Sequence, residues 1–189
     1  MDISALFSIP NLFTALRIFA TPFILRALAE GHFILGGWLV GIAAFTDLLD
    51  GAVARRFGGE TKFGQYLDPI ADKILLSAVY IGLGLGGAIP IWLLFVIFGR
   101  DLWILALSGV ALLTTKYREL QPSNWGKAST YAQVMVAVGV LAGNGYQDND
   151  LLVVCRGLYW LITFLAAMSA GDYTWRGVRW WIQDRRQHN

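Results

Sequence analysis

Apolar residues in this chain fall into long blocks rather than alternating stripes, and the blocks are separated by short polar or basic stretches. A helix needs about 20 apolar residues to cross ~30 Å of hydrocarbon at 1.5 Å per residue. Six blocks approach that length, at 11–28, 33–55, 64–84, 89–113, 131–142 and 151–170. The fifth is short and reaches a bilayer's width only by taking in 126–130 and 143–146. The pattern predicts an all-α integral membrane protein, a bundle of six transmembrane helices forming a single domain over residues 1–189. There is no internal repeat and no low-complexity segment.

Composition agrees. The chain is 56% hydrophobic and only 15% charged, against roughly 25% charged residues in soluble domains, and its mean hydropathy is +0.53. A net charge of +2 is too small to suggest a nucleic-acid partner. Cys155 is the single cysteine, which excludes an internal disulfide and a CxxC metal site and reads as a small hydrophobe in a membrane helix. Residues 1–10 lack the basic start of a cleaved signal peptide, so they are expected to be retained.

Charge asymmetry orients the spans. Arg55, Arg56 and Lys62 lie between the second and third, Lys116, Arg118 and Lys127 between the fourth and fifth, and Arg176, Arg179, Arg185 and Arg186 after the sixth. The 84–90 connection is uncharged, 147–150 is acidic, and only Arg26 and Arg156 fall near the opposite side. Both termini are therefore expected in the cytoplasm. Trp175, Trp180 and Trp181 among the last arginines read as an interfacial anchor.

Four aspartates break this apolar pattern. A carboxylate at the centre of a spanning helix costs roughly 2.5–3.5 kcal/mol, so four ask for about 10 kcal/mol, less near an interface. Asp47, Asp50, Gly51 and Ala54 are spaced i, i+3, i+4, i+7 on the second span; Gly64, Asp68 and Asp72 are spaced i, i+4, i+8 on the third. A hairpin of these spans brings all four carboxylates to similar depth, one to three turns below the cytosolic surface. Facing carboxylates without a nearby histidine or thiolate suit two hard cations, Mg²⁺ or Mn²⁺, rather than Zn²⁺. Gly51, Ala54 and Gly64 remove bulk where a nucleotide diphosphate would approach, and Arg55 can pair with a phosphate oxygen. Such a set suits phosphoryl transfer with a two-metal clamp. Helix-packing glycines explain Gly51 and Gly64 but not the carboxylates. Asp–Arg pairing neutralises one or two of them, and a proton or cation pathway is the structural competitor.

The segment matches D-x2-D-G-x2-A-R-x8-G-x3-D-x3-D at Asp47, Asp50, Gly51, Ala54, Arg55, Gly64, Asp68 and Asp72. In this it resembles the CDP-alcohol phosphotransferase family, whose size and six-span layout the whole chain shares. The resemblance implies that Asp47, Asp50 and Asp68 ligate the metals, and that Asp72 completes the site and acts as the base. It implies that Gly51, Arg55 and Thr61 contact the CDP moiety, with Ala54 and Gly64 beside them. It also implies a homodimer among membrane lipids, with an active site open to the cytosol.

Other segments resemble the phosphatidylglycerophosphate synthase and cardiolipin synthase branch of that family. Pro10-Asn11-x2-Thr14-x2-Arg17 opens the first span, and the second aspartate helix reads Leu-Asp-Pro-x-Ala-Asp-Lys. Arg100-Asp101 and the run from Gly126-Lys127 to Gln133 match two further blocks. Asn11, Thr14, Arg17, Arg100 and Lys127 are thus candidate acceptor or headgroup contacts. Asn11 reads equally as a helix cap, and Arg100-Asp101 as a self-neutralising pair. The synthases usually carry Arg-Glu and a following Leu-Arg where this chain has Arg100-Asp101 and Leu107-Ser108, a form closer to the cardiolipin synthases. The expected reaction moves the phosphatidyl group of CDP-diacylglycerol to glycerol 3-phosphate with release of CMP. Phosphatidylglycerol is the alternative acceptor, and an ion-coupled transporter is the rival from another class. Aspartate-rich prenyltransferases also bind diphosphates through Mg²⁺, but they lack the Asp-Gly-x2-Ala-Arg arrangement.

Overall fold

A computed structural model describes residues 9–57, 62–114 and 123–187, with side chains described over 15–46, 70–110 and 123–179. These residues form six α-helices and no strand: α1 (Ile9–Ala29), α2 (Phe33–Phe57), α3 (Lys62–Leu85), α4 (Ile91–Thr114), α5 (Asn124–Tyr146) and α6 (Asn149–Gln187). They fall into two units, one of Met1–Ile89 with Val140–Asn149 and the other of Pro90–Gly139 with Asp150–Asn189.

In the first unit α1 packs on both α2 and α3. The contact centres on Leu28, which is fully buried. A Cβ added to Gly36 of α2 would lie 2.2 Å from Leu28 Cδ2, and one on Gly82 of α3 would lie 2.7 Å from Leu28 Cβ. At Gly86, just past α3, it would lie 2.3 Å from the Leu28 carbonyl oxygen. Three glycines therefore let two neighbouring segments approach α1 more closely than any side chain permits, the small-residue device of helix packing in lipid.

The helix ends here are fixed by backbone chemistry. After α1 the chain turns left-handed at Gly31 (φ 80°). His32 N–H then reaches the Ala27 carbonyl at 2.8 Å and Gly31 N–H that of Leu28 at 3.1 Å. After α3, Gly87 (φ 73°) repeats the device with Ala88 N–H on Leu83 and Gly87 N–H on Gly84. Both ends satisfy carbonyls that a helix terminus leaves open, in the Schellman pattern. At the last turn of α1, exposed Arg26 donates to Glu30 at 2.8 Å. That bond and the positive charge hold the Glu30 carboxyl below its usual range.

Both units expose many large apolar side chains while burying a few polar ones within a largely apolar core. Phe19, Trp38, Phe45, Phe95, Leu102, Met135 and Trp160 are exposed, whereas Arg17, Thr21, Ser129, Gln133 and Ser169 are buried. Water disfavours this arrangement and a bilayer tolerates it. Two helical stretches among the described residues are long and apolar enough to cross a membrane, Ile91–Val110 and Asn149–Arg179, and Phe33–Thr46 is a shorter apolar one. The other expected spans are diluted by polar residues such as Arg17, Asp72, Ser129 and Gln133.

In the second unit Trp92 meets Tyr159 and Trp160 of α6 ring to ring. Buried Cys155 fills the space opposite Gly139. Helix α5 takes in both flanks its short apolar block needs, and α6 runs on past Ala170 to Gln187 without a break. At 39 residues its length is about 58 Å, nearly twice the hydrocarbon thickness. Asp172 and Arg176, an i, i+4 ion pair at 3.0 Å, and Arg179 stacked over Trp175 at 5.8 Å support the extension.

Gly86→Ala must push a methyl into a backbone carbonyl, whereas Gly37→Ala meets nothing within 4 Å. Thermal unfolding of detergent-purified protein should show Gly86→Ala less stable by about 1–3 kcal/mol and Gly37→Ala unchanged or slightly stabilised. Equal midpoints for the two variants would contradict the glycine contact.

Candidate active site

Leu28 is a common origin from which the helices can be measured. Arg17 lies 11 residues before it on α1, and Asp72 lies 10 residues before Gly82 on α3. The two meet: Arg17 Nη1 donates to Asp72 Oδ1. Contacts at Leu28–Gly82 and Arg17–Asp72 make α1 and α3 parallel. Helix α2 begins after the 30–32 turn and runs the other way. On it Asp47 lies 11 residues beyond Gly36. At 1.5 Å per residue, Asp47, Arg17 and Asp72 stand at one level, about 15–17 Å from the Leu28 contact.

Helical backbone is continuous through Asp47, Asp50, Gly51, Ala54 and Arg55 on α2 and through Gly64, Asp68 and Asp72 on α3. The expected spacings are therefore realised as helical spacings. The side chains at these positions other than Asp72, together with those of Asn11 and Thr14, lie outside the described residues, as does Thr61 altogether. Among the described residues no group of three histidine, cysteine or carboxylate side chains gathers as a metal site. Asp72 combines an ion pair with access: its side chain is 57% exposed, while that of Arg17 is 1% exposed. One turn on, Thr21 Oγ1 donates to the Arg17 carbonyl at 2.8 Å.

The second unit holds a separate polar cluster. Arg100 donates to Asp101 at 2.8 Å and to Ser169 Oγ at 2.8 Å, and both members of the ion pair are largely buried. Gly126 packs close against this guanidinium, since a Cβ there would lie 3.1 Å from Arg100 Nη2. The Lys127 side chain is exposed. Ser123, the residue before α5, donates through its hydroxyl to Asp172 and through its N–H to Tyr173 Oη at 3.2 Å. Ser169, Ser123 and Asp172 escaped the sequence reading. Asp172 and Arg176 at i, i+4 are a usable signal that lies just past the sixth apolar block.

A family model described as CDP-alcohol phosphatidyltransferase matches residues 7–171. A probable phosphatidylglycerophosphate synthase of Mycobacterium tuberculosis is 35% identical over 181 residues, covering 91% of this chain and 82% of that protein. A CDP-diacylglycerol–glycerol-3-phosphate 3-phosphatidyltransferase of Aquifex aeolicus is 30% identical over 179 residues, covering 91% and 97%. A probable cardiolipin synthase (CMP-forming) of Drosophila melanogaster is 31% identical over 185 residues, with 88% of this chain covered. The chain spans 56% of the fly protein's length.

Asp172→Ala removes the acceptor of both Ser123 and Arg176 and should lower stability by about 1–3 kcal/mol. Exposed Lys127→Ala should move it by less than about 0.5 kcal/mol. Chemical or thermal unfolding measures both, and an equal loss in the two variants would refute the tie between α5 and α6.

Proposed function

Because the chain belongs to the CDP-alcohol phosphatidyltransferase family, we propose that it moves the phosphatidyl group of CDP-diacylglycerol to glycerol 3-phosphate and releases CMP. The observation that carries this reading is the eight-position motif with four carboxylates on α2 and α3, and the packing of α1 on both helices supports it. The names of the mycobacterial and Aquifex relatives support the acceptor.

Asp47, Asp50, Asp68 and Asp72 would hold two divalent cations, Mg²⁺ or Mn²⁺. The donor set fits: every candidate ligand is a hard carboxylate oxygen, and residues 45–73 contain no histidine or cysteine. When bound, the ions supply positive charge against the diphosphate and the departing CMP. Arg55 pairs with a phosphate oxygen, Thr61 contacts the CDP moiety, and Gly51, Ala54 and Gly64 leave room for it. Asp72 accepts the proton of the acceptor hydroxyl as its oxygen bonds to the β-phosphorus. The bond from that phosphorus to the CMP oxygen breaks, and CMP leaves with the electron pair.

The wider reading is a single six-span membrane domain with both termini and the active site on the cytoplasmic side, working as a homodimer among membrane lipids. The basic 55–62, 116–127 and 176–186 segments support that orientation. Asn11, Thr14 and Lys127 stand as acceptor contacts, whereas Arg100 already serves Asp101 and Ser169. A second reading takes phosphatidylglycerol as acceptor and makes cardiolipin. The Arg100-Asp101 form and the fly relative's name favour it.

Purified protein incubated with labelled CDP-diacylglycerol, Mg²⁺ and each acceptor separates these readings. Phosphatidylglycerophosphate should form with glycerol 3-phosphate, and chelation should abolish CMP release until Mg²⁺ or Mn²⁺ is restored. Cardiolipin from phosphatidylglycerol alone would favour the second reading, and undiminished turnover under rigorous chelation would sink the two-metal site.

A further inference from the structure

We infer that Arg17 is a positioning residue for Asp72, a buried cation that fixes the orientation of the proposed base, and not a contact for the acceptor. The inference rests on the reading of Asp72 as that base.

Exposure separates the two roles. An acceptor arriving from water or from the headgroup layer must reach the group that binds it. Arg17 offers it almost nothing, with 1% of its side chain accessible, whereas Asp72 offers 57%. Inside the protein, the guanidinium donates through Nη1 to Asp72 Oδ1. A charge so thoroughly removed from water and without a partner would be strongly destabilising, so its place presupposes the carboxylate beside it.

The backbone holds Arg17 at that place. Eleven residues further along α1, Leu28 is locked against Gly82 and Gly86, which fixes the register of α1 on α3. Thr21 ties itself to the Arg17 carbonyl one turn away. The planar guanidinium fixes the direction of its Nη1–H, so the carboxylate oxygen that it meets is constrained as well as charge-balanced. A lysine at position 17 would keep the charge and lose that fixed direction. Asp72 is thus gripped at Oδ1 on its inner side while more than half of its side chain stays open, the condition a base needs if it is to meet a hydroxyl in one geometry.

A double-mutant cycle on the full-length purified protein tests this, using Arg17→Met, Asp72→Asn and the pair together. In chelated protein, Asp72→Asn should lower the thermal midpoint, and adding Arg17→Met should recover part of the loss, since the buried charge whose contact with residue 72 was weakened is removed. In turnover with CDP-diacylglycerol, glycerol 3-phosphate and Mg²⁺, Arg17→Met should lower kcat about 10- to 100-fold, with KM for glycerol 3-phosphate little changed. In the Asp72→Asn background it should cost nothing further. Arg17→Lys, which keeps the buried charge, gives a folded variant should Arg17→Met not fold. It should retain the midpoint better than kcat.

Additive losses in both readouts would overturn the inference, as would a selective rise in KM for glycerol 3-phosphate with kcat preserved. Wild-type protein that releases no CMP with any acceptor would sink the proposed reaction instead, and the midpoint cycle would still decide whether Arg17 and Asp72 act as a pair.

Discussion

The close approach of three glycines to Leu28 is the constraint on which the rest of the first unit depends. How closely two helices pack is set by how closely their backbones can touch. Here one fully buried leucine fits where Gly36, Gly82 and Gly86 carry no side chain. That fit sets the level of α1 against α2 and α3 together. Because all three helices are regular, a level fixed at Leu28 is transmitted about ten residues down each of them, to Asp47, Arg17 and Asp72.

The carboxylates themselves would drive these helices apart. Like charges repel, and each costs several kcal/mol in an apolar surrounding. Arg17 offsets part of this at Asp72, and the proposed cations offset the remainder when bound. The packing that costs least, glycine against leucine, lies far from the chemistry, and the polar end is held by its consequences. The second unit follows the same logic with different parts: Arg100 packs against Gly126 and is neutralised by Asp101, and Asp172 anchors the start of α5 through Ser123.

The helices were readable in the sequence because each apolar block is long enough to form several helical turns and is closed by a polar or glycine-containing break. Even the borrowed flanks of α5 were readable, since Gly126, Lys127 and Thr130 precede an apolar run too short to stand alone. The end of α6 was not, because the charges after Ala170 look like the end of a span, while Asp172–Arg176 and Arg179–Trp175 continue the helix instead. The carboxylate motif was legible as spacing, which the helical backbone of α2 and α3 preserves. The partner of Arg17 was hidden, because periodicity shows that a helix has a face and leaves open which neighbour that face meets. Of 21 glycines, nothing in the composition singled out the three that meet Leu28.

The central claim is that α1 aligns two helices so that their carboxylates form one two-cation site, and Mn²⁺ binding followed by electron paramagnetic resonance tests it most directly. Titration of the chelated, purified protein should fill about two sites per chain, close enough for their spins to couple, as a two-metal clamp requires. Asp68→Asn and Asp72→Asn together should abolish the coupled signal. Isolated Mn²⁺ without coupling, or a coupled pair that survives both substitutions, would contradict the claim.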